Sequence, residues 1–404
     1  MKTPRVIIAG AGPVGVVAAL ACAHNGFSVT LLEADSKIDD EPRAATTHPS
    51  TLEMIARVGL IDRFMSEGLI ARHFQFWDKA THTKIAEFDH ELLRGETEFP
   101  FVVQTEQHKL CNMGLDQLKR YPDVEVRFNT RVMDLTQHAD RVAITAEGPN
   151  GTETFWGEYA IGADGGRSTV RKALDIAFEG FTWPEQFLVL TVADDFQEIL
   201  KGCCYRNYMA DPEEWTNLFK VAGDDGKACW RAVCPTQPNE SDDHALSENS
   251  VGYRLQRVYP LLQGYEVLHR NLYKVHQRVA AKFHKGRVFL TGDSAHVNNT
   301  VGGLGLNSGI HDAIELVDTL VPVLRGEIDE SLLDRYERRR RALNIEFIQE
   351  QTISNKKRLE EKDCRARQAR FDELREISQD VRRHKQFLLR TSLIESIRKT
   401  RNIP

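Results

Sequence analysis

Three short runs in this chain carry residue types suited to holding phosphates and sugar hydroxyls. The first is Gly10-Ala11-Gly12-Pro13-Val14-Gly15, a G-x-G-x-x-G turn between the apolar run Arg5 to Ala9 and the helix-like stretch Val16 to His24. Gly10 permits a tight turn, Gly12 lets a pyrophosphate reach the backbone, and Gly15 allows the helix to pack on the sheet. Free amides and the dipole at the helix start attract phosphate. Phe27 to Leu32 reads as the next strand, and Glu33 ends it, where a carboxylate can accept hydrogen bonds from a ribose diol. Strand, glycine turn, helix, strand and acid in this order predict a dinucleotide site, without separating FAD from NAD.

The second run is Tyr159 to Arg171, in which a strand ends in Asp164-Gly165 and Ser168 stands near the start of a helix. Alone it reads as a capped strand–helix junction. In the third, a buried strand over Arg287 to Thr291 leads into Gly292-Asp293-Ser294-Ala295-His296. A loop from Val301 through Gly302, Gly303, Leu304, Gly305, Leu306 and Asn307 then enters a helix over Ser308 to Val323. Asp293 suits a polyol chain, and the loop amides suit an electron-rich ring. Alone, this run reads equally as a glycine loop capping a helix.

The elements around these runs alternate strand and helix. Helical periodicity covers Thr51 to Gly68 and Gln104 to Arg120, and strands are predicted over Val124 to Phe128, Arg131 to Thr136, Val142 to Ala146 and Glu158 to Ala163. Residues 175–280 are rich in aromatics and short strands, which predicts a larger mixed sheet, and residues 331–404 read as mostly helical. With 404 residues and 41% hydrophobic content, the chain can build a large core. Glycines and Pro13 interrupt the apolar run Val6 to Ala23, which fits strand–turn–helix rather than a signal sequence or a membrane span. Seven cysteines without a C-x-x-C suggest neither zinc nor a disulfide framework, and predict a reduced, cytoplasmic protein with no metal. Residues 331–404 carry 20 Lys/Arg against 12 Asp/Glu, a net of +8, while the chain as a whole is −6. Acids interleave with these bases, so the tail is expected to pack on the acidic body or a second subunit rather than bind nucleic acid.

Taken together, the three runs resemble the single-component FAD-dependent aromatic hydroxylases, the p-hydroxybenzoate-hydroxylase-like flavoprotein monooxygenases, over residues 4–345. The resemblance implies an α/β fold: a Rossmann-type, glutathione-reductase-like FAD-binding domain with an inserted mixed β-sheet substrate domain and a helical C-terminus. The expected boundaries are 1–73, 100–175 and 281–345 for the FAD domain, 74–99 and 176–280 for the substrate sheet, and 346–404 for the extension. For FAD, it implies Gly10, Ala11, Gly12, Pro13, Val14 and Gly15 at the pyrophosphate, Glu33 at the ribose, and the Val132 backbone at adenine. Arg43 would approach the flavin side, and Gln104 and Asp293 the ribityl chain. Asp164 lies in a motif associated with FAD and the nicotinamide nucleotide, and Gly303, Gly305, Leu306 and Asn307 would line the ring. Where relatives commonly carry two prolines, this chain has Asn299 and Thr300, polar groups on the reacting face that suit a more polar substrate.

The implied chemistry is reduction of FAD by NADH or NADPH, formation of a C4a-hydroperoxide with O2, and oxygen transfer to a phenolic or N-heteroaromatic ring. No second G-x-G-x-x-G is present, so the nicotinamide cofactor is expected as a transient co-substrate. Tyr205, Tyr208 and Asn299 are the candidate catalytic residues, with Arg206 able to bind a carboxylate. The tyrosines read equally as half-buried sheet residues. His48 stands as a flavin-side or plain loop residue, His296 as a loop-ordering one, and His311 as a helix-surface one. Alternative readings are oxygenation of a polyketide, quinone precursor or alkene, and a non-hydroxylating FAD-binding redox protein. A homodimer is compatible with the sequence.

Overall fold

The computed structural model describes residues 3–404 apart from Ala44 and Asp225. Its nucleotide half is a six-stranded sheet in the order His284–Lys285, Val288–Leu290, Tyr159–Gly162, Arg5–Ala9, Ser28–Leu32, Val124–Arg127. All neighbours run parallel except the first pair. Val6 to Ala9 and all of Ser28–Leu32 are buried, as strands covered by helices on both faces must be. The helix Pro13–His24 packs between Gln107–Leu118 and Leu304–Leu324. This brings the first and third glycine runs to the same end of the sheet. A three-stranded antiparallel sheet, Arg131–Gln137, Val142–Gly148 and Gly151–Gly157, is appended beside it.

The chain leaves this half to build an eight-stranded sheet and returns at Val288. The order is His296–Val297, Val267–Ala280, Phe178–Val192, Cys229–Pro235, Thr216–Val221, Arg206–Ala210, His73–Asp78, Thr83–Asp89. All pairs are antiparallel except Arg206–Ala210 beside His73–Asp78. The strand period of two sends alternate side chains to opposite faces. Trp77, Leu188, Met209, Leu218 and Trp230 pack beneath the helix Glu248–Val258. Phe74, Phe76, Phe88 and Tyr208 pack against Phe371, Leu374, Leu388 and Ile394 of the C-terminal helices. Residues 346–404 are therefore an integral layer of the substrate sheet rather than an extension lying on the body.

Other elements also differ from expectation. The helix expected from Gln104 starts at Gln107, because Val102–Gln104 pairs as a strand with Thr46–Thr47 and Leu69–Ala71. The strand read over Phe187 to Val192 extends back to Phe178, with the pairing register shifting between Thr182 and Gln186 around Pro184. Its partner Val267–Ala280 escapes a simple apolar pattern because only four of its fourteen residues are buried.

Candidate active site

The nucleotide cleft is shaped by close backbone approaches. Gly10 has φ +97, and a Cβ there would lie 2.5 Å from the Ala163 carbonyl oxygen. A Cβ at Gly15 would lie 1.9 Å from the Gly10 carbonyl oxygen. These two positions lock the turn onto Tyr159–Gly162. Gly12 is different: a Cβ there would meet nothing within 4 Å, so the amide end of Pro13–His24 opens onto free space. Val14 bridges the first and third runs, because Cβ atoms at Gly292 and Gly309 would approach its Cγ2 at 2.9 and 2.7 Å. The Ala11 amide donates to Glu33 Oε2 at 2.7 Å, which fixes that half-buried carboxylate at the end of its strand.

Asp164 uses its side chain locally. Ser168 Oγ donates to Oδ1 at 2.5 Å, and the Thr169 and Val170 amides donate to Oδ2 at 2.7 and 3.1 Å. Any contact it makes to a cofactor therefore falls to the backbone around it. Burial pushes its carboxyl up, against these hydrogen bonds. Arg171, which sequence reasoning passed over, ties the second run to the third by donating to the Gly166 and Ser294 carbonyls, both at 2.8 Å.

Asp293 is open to the cleft, yet surrounding protein pushes its carboxyl up, against the pull of His296 and Arg43. Arg43 itself is exposed and paired with Asp39 at 2.6 Å. Gln104 accepts from Thr46 Oγ1 at 2.6 Å, while its buried Nε2 has no partner. Val132 lies on Arg131–Gln137, opposite Ala146. Gly303 (φ +69) leads into Leu304–Leu324, carrying Gly305 and half-buried Leu306 into its first turn. Asn307 is wholly buried; it donates to the Thr46 and Gly303 carbonyls at 2.8 and 2.6 Å and accepts from the His48 amide at 2.8 Å. Its side chain locks the loop, leaving only backbone to face a ring.

Beneath the loop lies a buried ion triad. Asp312 Oδ2 accepts from His296 Nε2 at 2.6 Å and from the Gly292 amide at 3.1 Å, and Oδ1 accepts from Arg340 Nε at 2.5 Å. Burial would raise the Asp312 carboxyl, but Arg340 and His296 hold it below the usual carboxylate range. His296 thus orders the Gly292-Asp293 turn. His311 is not on a helix surface: it is 2% exposed and meets Thr51 Oγ1 at 2.9 Å. Its helix is central to the molecule and buried on nearly every side.

Across the loop, between the sheet, Val301-Gly302 and the C-terminal helices, is a pocket with a cavity volume of about 30 Å³. Phe74, Phe76, Tyr208 and Phe387 supply aromatic walls, with Phe76 stacked on Tyr208 at 5.3 Å between centroids. Arg206 and Tyr208, two apart on one strand, share this face. Tyr205 does not reach it: the alternation turns it the other way, where Lys220 Nζ lies 5.4 Å from its ring. Of the two tyrosines, only Tyr208 lines this pocket. Asn299 is buried, with its amide and Nδ2 donating to Gln277 Oε1 and its Oδ1 accepting from the Val301 amide. It shapes the loop from behind the pocket.

Arg206 is 2% exposed; Nη2 donates to Tyr208 Oη at 3.1 Å, while Nε and Nη1 have no partner. Arg358 also lines the pocket, and among the described residues no Asp or Glu does. His48 is 2% exposed and holds the Gly302 carbonyl through Nε2 at 2.9 Å. His90 holds the Arg72 carbonyl through Nδ1 at 2.8 Å. Burial, then the charge of Arg206, lowers both imidazoles, His48 to about 3. The histidines and the C-terminal residues carry no local sequence motif; only the adjacency of His48 to the Arg43 loop hinted at the first.

The open space at Gly12, the unpartnered Gln104 amide and the unpaired Asp293 carboxylate fit a dinucleotide with a polyol arm, as FAD has. Fold and cleft together define a flavoprotein with a Rossmann-type cofactor half and a sheet-built substrate half. The chain belongs to the FAD binding domain family, which it matches over residues 3–351. Para-nitrophenol 4-monooxygenase of a Pseudomonas species is 33% identical over 392 residues, covering 95% of this chain and 94% of that one. The 6-hydroxy-3-succinoylpyridine 3-monooxygenase of Pseudomonas putida is 32% identical, covering 94% and 95%. The crystal structure of p-nitrophenol 4-monooxygenase from Pseudomonas putida superposes with a TM-score of 0.91 at 30% identity, covering 98% of this chain and 99% of that one. The enzyme is an FAD-dependent aromatic monooxygenase, with NAD(P)H as the reductant typical of its family.

Proposed function

We propose that the substrate is a single aromatic ring carrying a hydroxyl or ring N–H and an anionic or strongly electron-withdrawing substituent, bound in the pocket beside Val301-Gly302. The observation that carries this reading is Arg206, a buried guanidinium with two free donors among aromatic rings. A buried cation without a counter-ion is costly, and an anionic ligand removes that cost. Arg358 adds to the positive character of the same wall. Two relatives are named for substrates that pair a hydroxyl with a nitro or a succinoyl group, which suits such a site.

For the cofactor, Gly10 to Gly15 and the helix start would hold the pyrophosphate, Glu33 the ribose, and Val132 the adenine through its backbone. Gln104 and Asp293 would meet the ribityl chain, and the backbone from Gly303 to Asn307 the ring. Arg43 and the Asp164 backbone would close the cleft. Bound FAD supplies the redox chemistry; the pocket orients the ring, neutralises its charge and keeps water out. Tyr208 faces the ring and holds Arg206 in place. The seven unpaired cysteines suit a cytoplasmic enzyme, and sedimentation would decide between monomer and homodimer.

The deciding experiment is anaerobic flavin reduction by NADH and by NADPH, with and without hydroxybenzoates, nitrophenols, hydroxypyridines and anilines. An anionic or nitro-substituted phenol or hydroxypyridine is expected to accelerate reduction by one nucleotide. Acceleration by neutral polycyclic compounds alone would overturn the reading in favour of a polyketide substrate.

A further inference from the structure

Among the described residues, two buried acceptors on residues lining the pocket have no protein partner, His48 Nδ1 and Gln351 Oε1, and of these only His48 also holds the glycine loop. His48 closes the gap between the pocket and the glycine loop: a Cβ at Gly303 would lie 3.7 Å from its Nε2. Nε2 faces the Gly302 carbonyl at 2.9 Å, an oxygen that can only accept, so the ring proton resides on Nε2. Nδ1 is then a bare lone pair. It is buried, has no partner and belongs to a residue lining the pocket. A buried acceptor left unsatisfied costs about 1–3 kcal/mol, and a ligand donor is the available remedy. The ring is held rigidly, since the His48 amide is fixed by Asn307 and Nε2 by the loop.

We propose that His48 Nδ1 accepts the hydrogen bond of the substrate's ring hydroxyl or ring N–H and takes its proton as the ring is oxygenated. This rests on the pocket being the substrate site. When the outer oxygen of the O2-derived oxidant that the monooxygenase reaction supplies joins the ring carbon ortho or para to the hydroxyl, the O–O bond breaks, its electron pair leaves on the other oxygen, and the substrate O–H bond breaks. The O–H electron pair becomes the second bond of a ring carbonyl, and the proton passes to Nδ1. The leaving oxygen takes the proton from the attacked carbon, which restores aromaticity, and Nδ1 returns its proton to the carbonyl oxygen, so His48 ends neutral. A weakly basic imidazole suffices, because a hydroxyl becoming a carbonyl is far more acidic than a resting phenol. Arg206 and His48 thus divide the ligand: guanidinium donors take the anionic group, and a lone pair takes the hydroxyl. The site selects for a donor at that position, and a methoxy group there meets lone pair against lone pair.

Two substitutions separate the ring nitrogens. His48→Gln can retain a donor to Gly302 but lacks an acceptor at Nδ1; His48→Asn can place its amide oxygen near Nδ1. With the substrate found by the reduction assay, H48Q is expected to keep bound FAD while binding that substrate more weakly. Hydroxylated product per NAD(P)H consumed should fall at least tenfold, with hydrogen peroxide making up the balance, and H48N should recover at least a third of it. The wild-type enzyme should bind the O-methyl ether at least tenfold more weakly than the phenol, and H48Q should bind the two alike. Coupling in H48Q within twofold of wild type, an equal loss in H48N, or tight binding of the ether by the wild type overturns the role of His48. If no aromatic stimulates the wild-type enzyme, the pocket reading itself has failed, which the reduction assay shows before any variant is made.

Discussion

At the scale of the residue, function depends on groups left without protein partners. Arg206 is the clearest case, with Nε and Nη1 free in a buried site. A charge-assisted hydrogen bond contributes about 2 kcal/mol, roughly thirtyfold in affinity. Arg206→Gln is therefore expected to raise the KM of an anionic substrate by about that factor while leaving its neutral analogue nearly unaffected. Steady-state assays with a carboxylate and its amide would check this. Asp293 offers the matching test on the cofactor side: D293A should lose FAD on gel filtration, read as a falling ratio of flavin to protein absorbance, with the fold intact by circular dichroism. The glycine turn was legible in the sequence because its function is local, resting on backbone that a Cβ would obstruct. Tyr205 and Tyr208 were not separable, because which of them faces the pocket depends on where the strand starts, and it starts at Arg206. Arg206 was visible as a residue type, but that it is unpaired depends on acids being absent from segments hundreds of residues away.

At the scale of the element, the helix Leu304–Leu324 is the part that couples cofactor loop to core. Its Asp312 fixes the Gly292 amide, His296 and Arg340 in one buried cluster. Replacing one partner of such a cluster strands a buried charge, at about 3–5 kcal/mol. Asp312→Asn should lower the urea midpoint accordingly and weaken FAD retention, because the turn carrying Asp293 loses its anchor. The Gly292-Asp293 run announced this helix in the sequence, but His311 was misjudged, since amphipathic reasoning assumes one wet face and this helix has almost none. The helix Val381–Thr391 plays the corresponding part at the pocket, where Phe387 stacks on Phe88 at 4.5 Å between centroids. Phe387→Ala should cost about 1–3 kcal/mol and admit bulkier rings, measurable as a changed KM ratio between one-ring and two-ring substrates.

At the scale of the whole molecule, four buried histidines set the acid limit. His48, His90, His311 and His384 are each lowered from the usual 6.5, by burial first; Arg206 adds to this at His48 and His90, and Arg340 at His311. A base whose folded pKa is depressed gives stability that is present above its unfolded pKa and is lost as pH falls toward the folded value. The loss therefore begins near 6.5, at up to about 1.4 kcal/mol per pH unit for each histidine. Thermal scans from pH 7.5 to 5.0 should show Tm falling with a slope that His311→Gln reduces by about a quarter, four equal contributors being assumed. A pH-independent Tm across that range would contradict the burial of these rings as neutral species. The division into two sheet-centred halves was readable from the spacing of the glycine runs. The role of residues 346–404 was not, because basic interleaved helices look alike whether they lie in solvent or, like Leu388 and Ile394, seal a core.

The order of strands in the nucleotide sheet has a consequence for how the enzyme is made. Arg5–Ala9 lies between Ser28–Leu32, which emerges at once, and Tyr159–Gly162, which is translated some 150 residues later. The edge beyond closes only with Val288–Leu290, and the pocket only with Leu359, Phe387 and Thr391. On the ribosome the first strand thus carries an open, apolar edge until Tyr159–Gly162 is made, the arrangement in which non-local pairing is slow and nascent chains invite misassociation. A nascent chain stalled before that strand should therefore expose the edge and depend on chaperones.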